Sequence, residues 1–322
     1  MSRLGDVARW AVYTRLPRLL SPRSTLPFRA LRPLGALPAA LSPARRALLA
    51  DEFARSGLEA DPVEAWRKAW RVTTEELVLG RHDRETLAGF IRFEGVEHLD
   101  AALGLGKGVV WVYPHAGPVM LMLAWLVQHG YPYTQYAARG LAPKEVAEAH
   151  PELLGHNRWR AETRAAREAD EDRTGATFLT LAQPTRLLYR ALARNELVGI
   201  AFDGRIGAKW REERFLGRRC LLNPGPWRLA ASTGAALVPA WNHYPDDGPA
   251  VCRVGTPIDA SAPDSSARVL AFAEAQIRAS PAEYGSWLLH CRQRNHIDDH
   301  PLFIDHAADR SWEKWGRRPD EK

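Results

Sequence analysis

Between residues 90 and 280, short apolar runs of strand length alternate with stretches of helical period, which restricts the chain to few architectures. Phe90 to Phe93, Val109 to Tyr113, Tyr133 to Ala137, Leu197 to Phe202, Leu237 to Trp241 and Ala250 to Val254 read as strands. Between them Val96 to Leu103, Pro118 to Gln128, Pro184 to Arg194, Pro224 to Ser232 and Ser265 to Ala279 read as helices, with Gly130 and Gly234 as stops. Strands alternating with helices predict an α/β domain with a single mixed, partly parallel sheet flanked by helices. Upstream, Leu48, Leu49, Phe53, Trp66, Trp70 and Leu77 recur at helical spacing, and Asp61-Pro62 is a good N-cap and first-turn pair.

The ends differ from this middle. Residues 1–45 mix eight arginines with leucines, Trp10, Tyr13, Phe28 and several prolines, and Asp6 is their only acid. This suits a basic amphipathic N-terminal helical arm lying at a lipid interface, and equally an arm packed on the domain. The prolines should limit its helices to short pieces. The domain itself should run from 46 to 304, with a charged tail over 305–322. Lys144 to Thr174 is polar and reads as a surface helix plus a loop.

No run of about 18 apolar residues occurs, so no transmembrane helix is expected. No secretory signal is expected either. The net charge of +6 calls for an anionic partner. No nucleic-acid motif accompanies it, so nucleic acid is not expected and a membrane surface or a phosphorylated substrate is. Cys220, Cys252 and Cys291 are odd in number and scattered. They predict neither a disulfide framework nor a metal site, and no cofactor is called for.

In open α/β sheets ligands bind beyond the carboxyl ends of the strands. Two strands carry polar residues there: one continues into Pro114-His115-Ala116-Gly117-Pro118, the other into Asp203-Gly204-Arg205. An imidazole in such a place is a competent general base near neutral pH, and small neighbours let a substrate approach. The N–H groups at the start of the following helix would face developing negative charge. The plainer readings are a histidine that packs the turn and an Asp-Gly that merely makes one. Arg218 and Arg219 stand in a loop as candidate forks for phosphate or carboxylate. Met120 and Met122 read as core or as the wall of an acyl pocket.

In this order, these residues resemble the lysophospholipid acyltransferase superfamily, and most closely the lipid A lauroyl/myristoyl acyltransferases. Gly106 to Gly117 is similar to the family's first block, and Arg190 to Gly207 to its helix, strand and Asp-containing turn. Phe215 to Arg219 with Gly225 to Pro239 looks like the next block. Pro281 to Arg292, with Trp287, His290 and Arg292, looks like the closing segment. The resemblance implies an acyltransferase-like domain that moves a fatty acyl group from acyl-carrier protein or acyl-CoA to a hydroxyl of a lipid or glycolipid. It places His115 and Asp203 in catalysis, and Arg205, Gly217, Arg218, Arg219 and Gly225 in substrate binding. With the basic arm it implies peripheral attachment at the cytoplasmic face of the inner membrane.

One departure matters. The family pairs its histidine with an acid in a His-x4-Asp/Glu motif, and here Met120 stands in the acid's place. No Asp or Glu occurs between Asp100 and Glu145. Three readings stay open: Asp203 or another distant carboxylate replaces the acid, His115 acts alone, or the chain binds acyl chains without transferring them.

Overall fold

The computed structural model describes residues 3–137, 158–180, 183–205, 209–294 and 301–306. Its strands are β1 (Ile91–Glu94), β2 (Val109–Tyr113), β3 (Tyr133–Tyr136), β4 (Thr177–Leu179), β5 (Leu197–Ala201), β6 (Arg211–Phe215), β7 (Arg218–Leu222), β8 (Ala236–His243), β9 (Ala250–Val254) and β10 (Ile258–Asp259). The main sheet has the order β1-β9-β8-β2-β5-β3-β4, with β10 beside β8, and β6–β7 form a separate hairpin. From β8 to β4 neighbours run parallel, whereas β9 and β10 are antiparallel to β8. The sheet is therefore mixed and mostly parallel, flanked by helices, as the alternation predicts.

The central strands are apolar on every residue because both sheet faces are covered. Side chains alternate across the sheet. Val110, Val112, Val198 and Ile200 enter one core, with Leu188, Leu192, Leu229 and Val269 from the overlying helices. Val109, Trp111, Tyr113 and Leu197 enter the other, with Leu99, Leu121, Leu123 and Leu126. The helices Val96–Leu103 and Ser265–Ala279 have the expected bounds. Asp61 caps its helix, accepting from the Val63 N–H at 2.8 Å, with Pro62 following.

Several elements escape the sequence pattern, among them β4, β10, the β6–β7 hairpin and the helix Ala282–Arg294. The hairpin is arginine- and glutamate-rich, so it lacks a clean apolar alternation. Its two-residue turn puts Leu216 (φ 52°) and Gly217 (φ 73°) in left-handed conformation, and leucine in the first position gives no turn signal. The arm also differs from expectation. Its first helix, Arg3–Thr14, runs 12 residues because Pro17 lies beyond its end. The arm is docked on the domain: Arg160 Nε donates to Asp6 Oδ1 at 2.9 Å, and Phe28 packs edge-on against Phe90 at 5.0 Å. Residues 307–322 of the tail and 144–157 of the polar stretch lie outside the described residues. Among those described, no helix is long and apolar enough to cross a membrane.

Candidate active site

Strand register assembles the site. β2 and β5 are parallel neighbours with Tyr113 opposite Ala201. Two residues further along each chain stand His115 and Asp203, so residues 88 apart in sequence meet at one sheet edge. Asp203 Oδ1 lies 2.7 Å from His115 Nδ1, and the His115 backbone N–H also reaches both carboxylate oxygens, at 3.0 and 3.2 Å. A carboxylate only accepts, so Nδ1 carries the ring proton. Nε2 keeps its lone pair and has no partner among the described residues. The His115 side chain is 39% exposed while Asp203 is fully buried: a reachable imidazole held by a sequestered carboxylate. A missing acid at position 120 thus leaves no gap, since Asp203 occupies the partner position.

The helix Ala282–Arg294 closes the arrangement from behind. Tyr284 Oη donates to Asp203 Oδ2 at 2.9 Å. Burial, and then the Asp203 charge, push the Tyr284 hydroxyl well above its usual pKa, so it stays a donor. With its N–H and O–H donors in place, the buried carboxylate is satisfied without a counter-cation. One turn on, Trp287 stacks on the His115 ring at 3.8 Å and 13°, and its other neighbour is His290 at 4.8 Å. Tyr284 was not singled out from sequence, and Trp287 only through resemblance. The spacing Tyr284, Trp287, Leu288, Cys291 is the helical signal that marks this face.

Gly117 shapes the turn. Its φ is +61°, and an added Cβ would overlap the Asn242 carbonyl on β8. Glycine therefore lets the His115 turn lie directly on the neighbouring strand.

Several expected roles need correction. The helix after His115 does not offer its first N–H groups to substrate, because Val119 N–H bonds the Gly117 carbonyl and Met120 N–H bonds Glu76 Oε1 at 3.0 Å. Met122 is fully buried in packed core. Its sulfur accepts from Trp111 Nε1 and Asn242 Nδ2, both at 3.3 Å, so it walls no acyl pocket. Met120 is half-buried on the first turn of the same helix. Arg218 is buried in an ion cluster with Glu52 (2.9 Å) and Asp305 (2.6 Å) and is not offered to a ligand. Burial pushes the Glu52 carboxyl up, but His306 and Arg218 outweigh it and hold it at about 2. Arg219 pairs with Glu212 across the hairpin at 2.6 Å, and Gly217 is the hairpin turn. Gly225 opens the helix Gly225–Thr233, its N–H donating to Asn223. Arg205 stays beside the site: it donates to the Leu221 carbonyl at 2.7 Å and lies over the Trp210 ring at 4.3 Å. Among the described residues no cluster of His, Cys, Asp and Glu is arranged to hold a metal ion.

Comparison with known proteins gives the family. Residues 63–293 match the family model described as bacterial lipid A biosynthesis acyltransferase. A phosphatidylinositol mannoside acyltransferase of Mycolicibacterium smegmatis is 29% identical over 241 residues, covering 73% of this chain and 70% of its own. The protein of the same name from Mycobacterium tuberculosis is 26% identical over 226 residues, covering 68% and 64%. A solved 1-acyl-sn-glycerophosphate acyltransferase, PlsC of Thermotoga maritima, aligns with 78% of this chain and 93% of its own at 12% identity. Its TM-score is 0.34, and at that level the superposition carries no argument. With the matched region spanning the whole sheet and the His115–Asp203–Tyr284 arrangement, the chain belongs to the bacterial lipid A biosynthesis acyltransferase family.

Proposed function

We propose that this protein transfers a fatty acyl group from an acyl thioester, carried on coenzyme A or acyl-carrier protein, to a hydroxyl of a glycolipid at a membrane surface. The observation that carries the reading is the 2.7 Å contact between Asp203 Oδ1 and His115 Nδ1 beside an exposed ring. His115 Nε2 takes the proton of the acceptor hydroxyl, and the oxygen attacks the thioester carbonyl. The tetrahedral intermediate then expels the thiolate, which recovers the proton from the imidazolium. Ester and free thiol are the products, and the base is regenerated. Asp203 keeps the imidazole in the productive tautomer and stabilises its cation, with Tyr284 fixing the carboxylate. Arg205, beside the Asp203 turn, is positioned to meet an anionic portion of a substrate.

The relatives' names favour a mannosylated phosphoinositide as the acceptor class. Peripheral attachment fits the arm, where Leu19 (80% exposed), Leu26 (71%) and Leu41 (82%) stand out among exposed arginines. The alternative of a lipid-binding protein without turnover rested on Met120, and Asp203 removes that motive. The test is transfer of labelled acyl chain from acyl-CoA to phosphatidylinositol mannoside by wild type and His115→Ala. Loss of about 10³-fold or more in rate is expected; equal rates would take His115 out of the mechanism.

A further inference from the structure

Two residues after Asp203, Arg205 lies over the ring of Trp210, and that indole is one wall of a cavity of about 430 Å³. The lining is Lys209, Trp210, Arg211, Pro224, Trp227 and Arg228: three cations, two indoles and no acid. On the neighbouring hairpin Arg218 is neutralised by Glu52 and Arg219 by Glu212. Here only Arg211 has a carboxylate partner, Glu213 at 2.7 Å, while Lys209 and Arg228 have none among the described residues. Two unpaired cations at one concavity create a field that favours an anion.

Two further features point the same way. The helix Gly225–Thr233 begins at this cavity, and although Asn223 accepts its first N–H at 2.8 Å, the positive end of its dipole adds to the field. Trp227 is 5% exposed, and its indole N–H finds no acceptor among the described residues. A buried donor without an acceptor is costly, and an oxygen-bearing occupant of the cavity is one source of relief.

We propose that this cavity is a substrate subsite for a phosphate group, with the indoles packing against the ring or chain next to it. The inference rests on the acyl-transfer reading, in which the reacting carbonyl sits at His115 and the rest of the substrate extends past Arg205. A phosphate is available from two sources: the nucleotide end of acyl-CoA, or the phosphodiester of a phosphoinositide acceptor. The chemistry recognised is the same, and experiment separates them.

The full chain is titrated calorimetrically with palmitoyl-CoA and, separately, with phosphatidylinositol in detergent micelles. The double variant Lys209→Ala/Arg228→Ala removes the two unpaired cations, both exposed, and Arg268→Ala is the control for general surface charge. A loss of about 10-fold or more in affinity, confined to the double variant, is expected for one probe. Loss for palmitoyl-CoA assigns the subsite to the donor, and loss for phosphatidylinositol assigns it to the acceptor. In turnover the same variant should raise KM for that substrate more than it lowers kcat. Affinities within about two-fold of wild type for both probes, or an equal loss in Arg268→Ala, would overturn the subsite. Because binding is read directly, a wild type that binds but transfers nothing would count against the acyl-transfer reading and leave this test intact.

Discussion

At the scale of single residues, the proposed mechanism has Asp203, 2.7 Å from His115, stand in for the acid that position 120 lacks. A carboxylate five residues after His115 would reach the imidazole from the next helical turn; here it arrives from the neighbouring strand, through register. Met120→Glu should therefore bring no gain in acyl-transfer rate over wild type, measured with the same donor and acceptor. A several-fold increase would mean that the dyad is incomplete as it stands. The sequence made His115 and Asp203 visible because both follow apolar strands of the right length. It could not make their contact visible, since pairing of β2 with β5 is decided by the whole sheet. The arginine pair at 218–219 misled for the opposite reason: Glu52 and Asp305, the partners of Arg218, lie far away in sequence, and Glu212, the partner of Arg219, faces it only once the hairpin has formed.

At the scale of elements, the helix Ala282–Arg294 is the part least legible beforehand and the one that braces the dyad. It supplies Tyr284 to Asp203 and Trp287 to His115. Its own seat depends on Gly285, where an added Cβ would lie 2.6 Å from Ala65 Cβ and 2.7 Å from Phe53 Cζ. Close approach of the helices Pro43–Arg55 and Pro62–Glu75 leaves no room for a side chain. Gly285→Val should cost about 1–3 kcal/mol by urea unfolding. It should also lower transfer activity at temperatures where the variant remains folded, because both bracing residues move with the helix. An unchanged unfolding midpoint would show that the helix shifts freely, contrary to this packing. The parallel core strands, by contrast, were readable in advance, since burial on both faces writes itself as uninterrupted apolar runs.

At the scale of the molecule, an α/β body carries the half-exposed His115 imidazole at one sheet edge and a leucine-and-arginine arm docked on the body. Leu19, Leu26, Leu34, Leu37 and Leu41 are the exposed large apolar side chains of that arm, and Arg18, Arg23 and Arg29 are exposed among them. Each buried CH₂ contributes roughly 0.8 kcal/mol at a lipid interface. The variant Leu19→Asp/Leu41→Asp should therefore sediment several-fold less with vesicles containing phosphatidylinositol, while its circular dichroism is unchanged. Undiminished sedimentation would place the membrane contact elsewhere. The central claim, that Asp203 is the acid partner of His115, is tested most directly by the initial rate of acyl transfer for Asp203→Asn beside wild type. Both proteins must be folded and assayed at the same pH. A fall of roughly 10³- to 10⁴-fold is the predicted result, and a rate within a few-fold of wild type would contradict it.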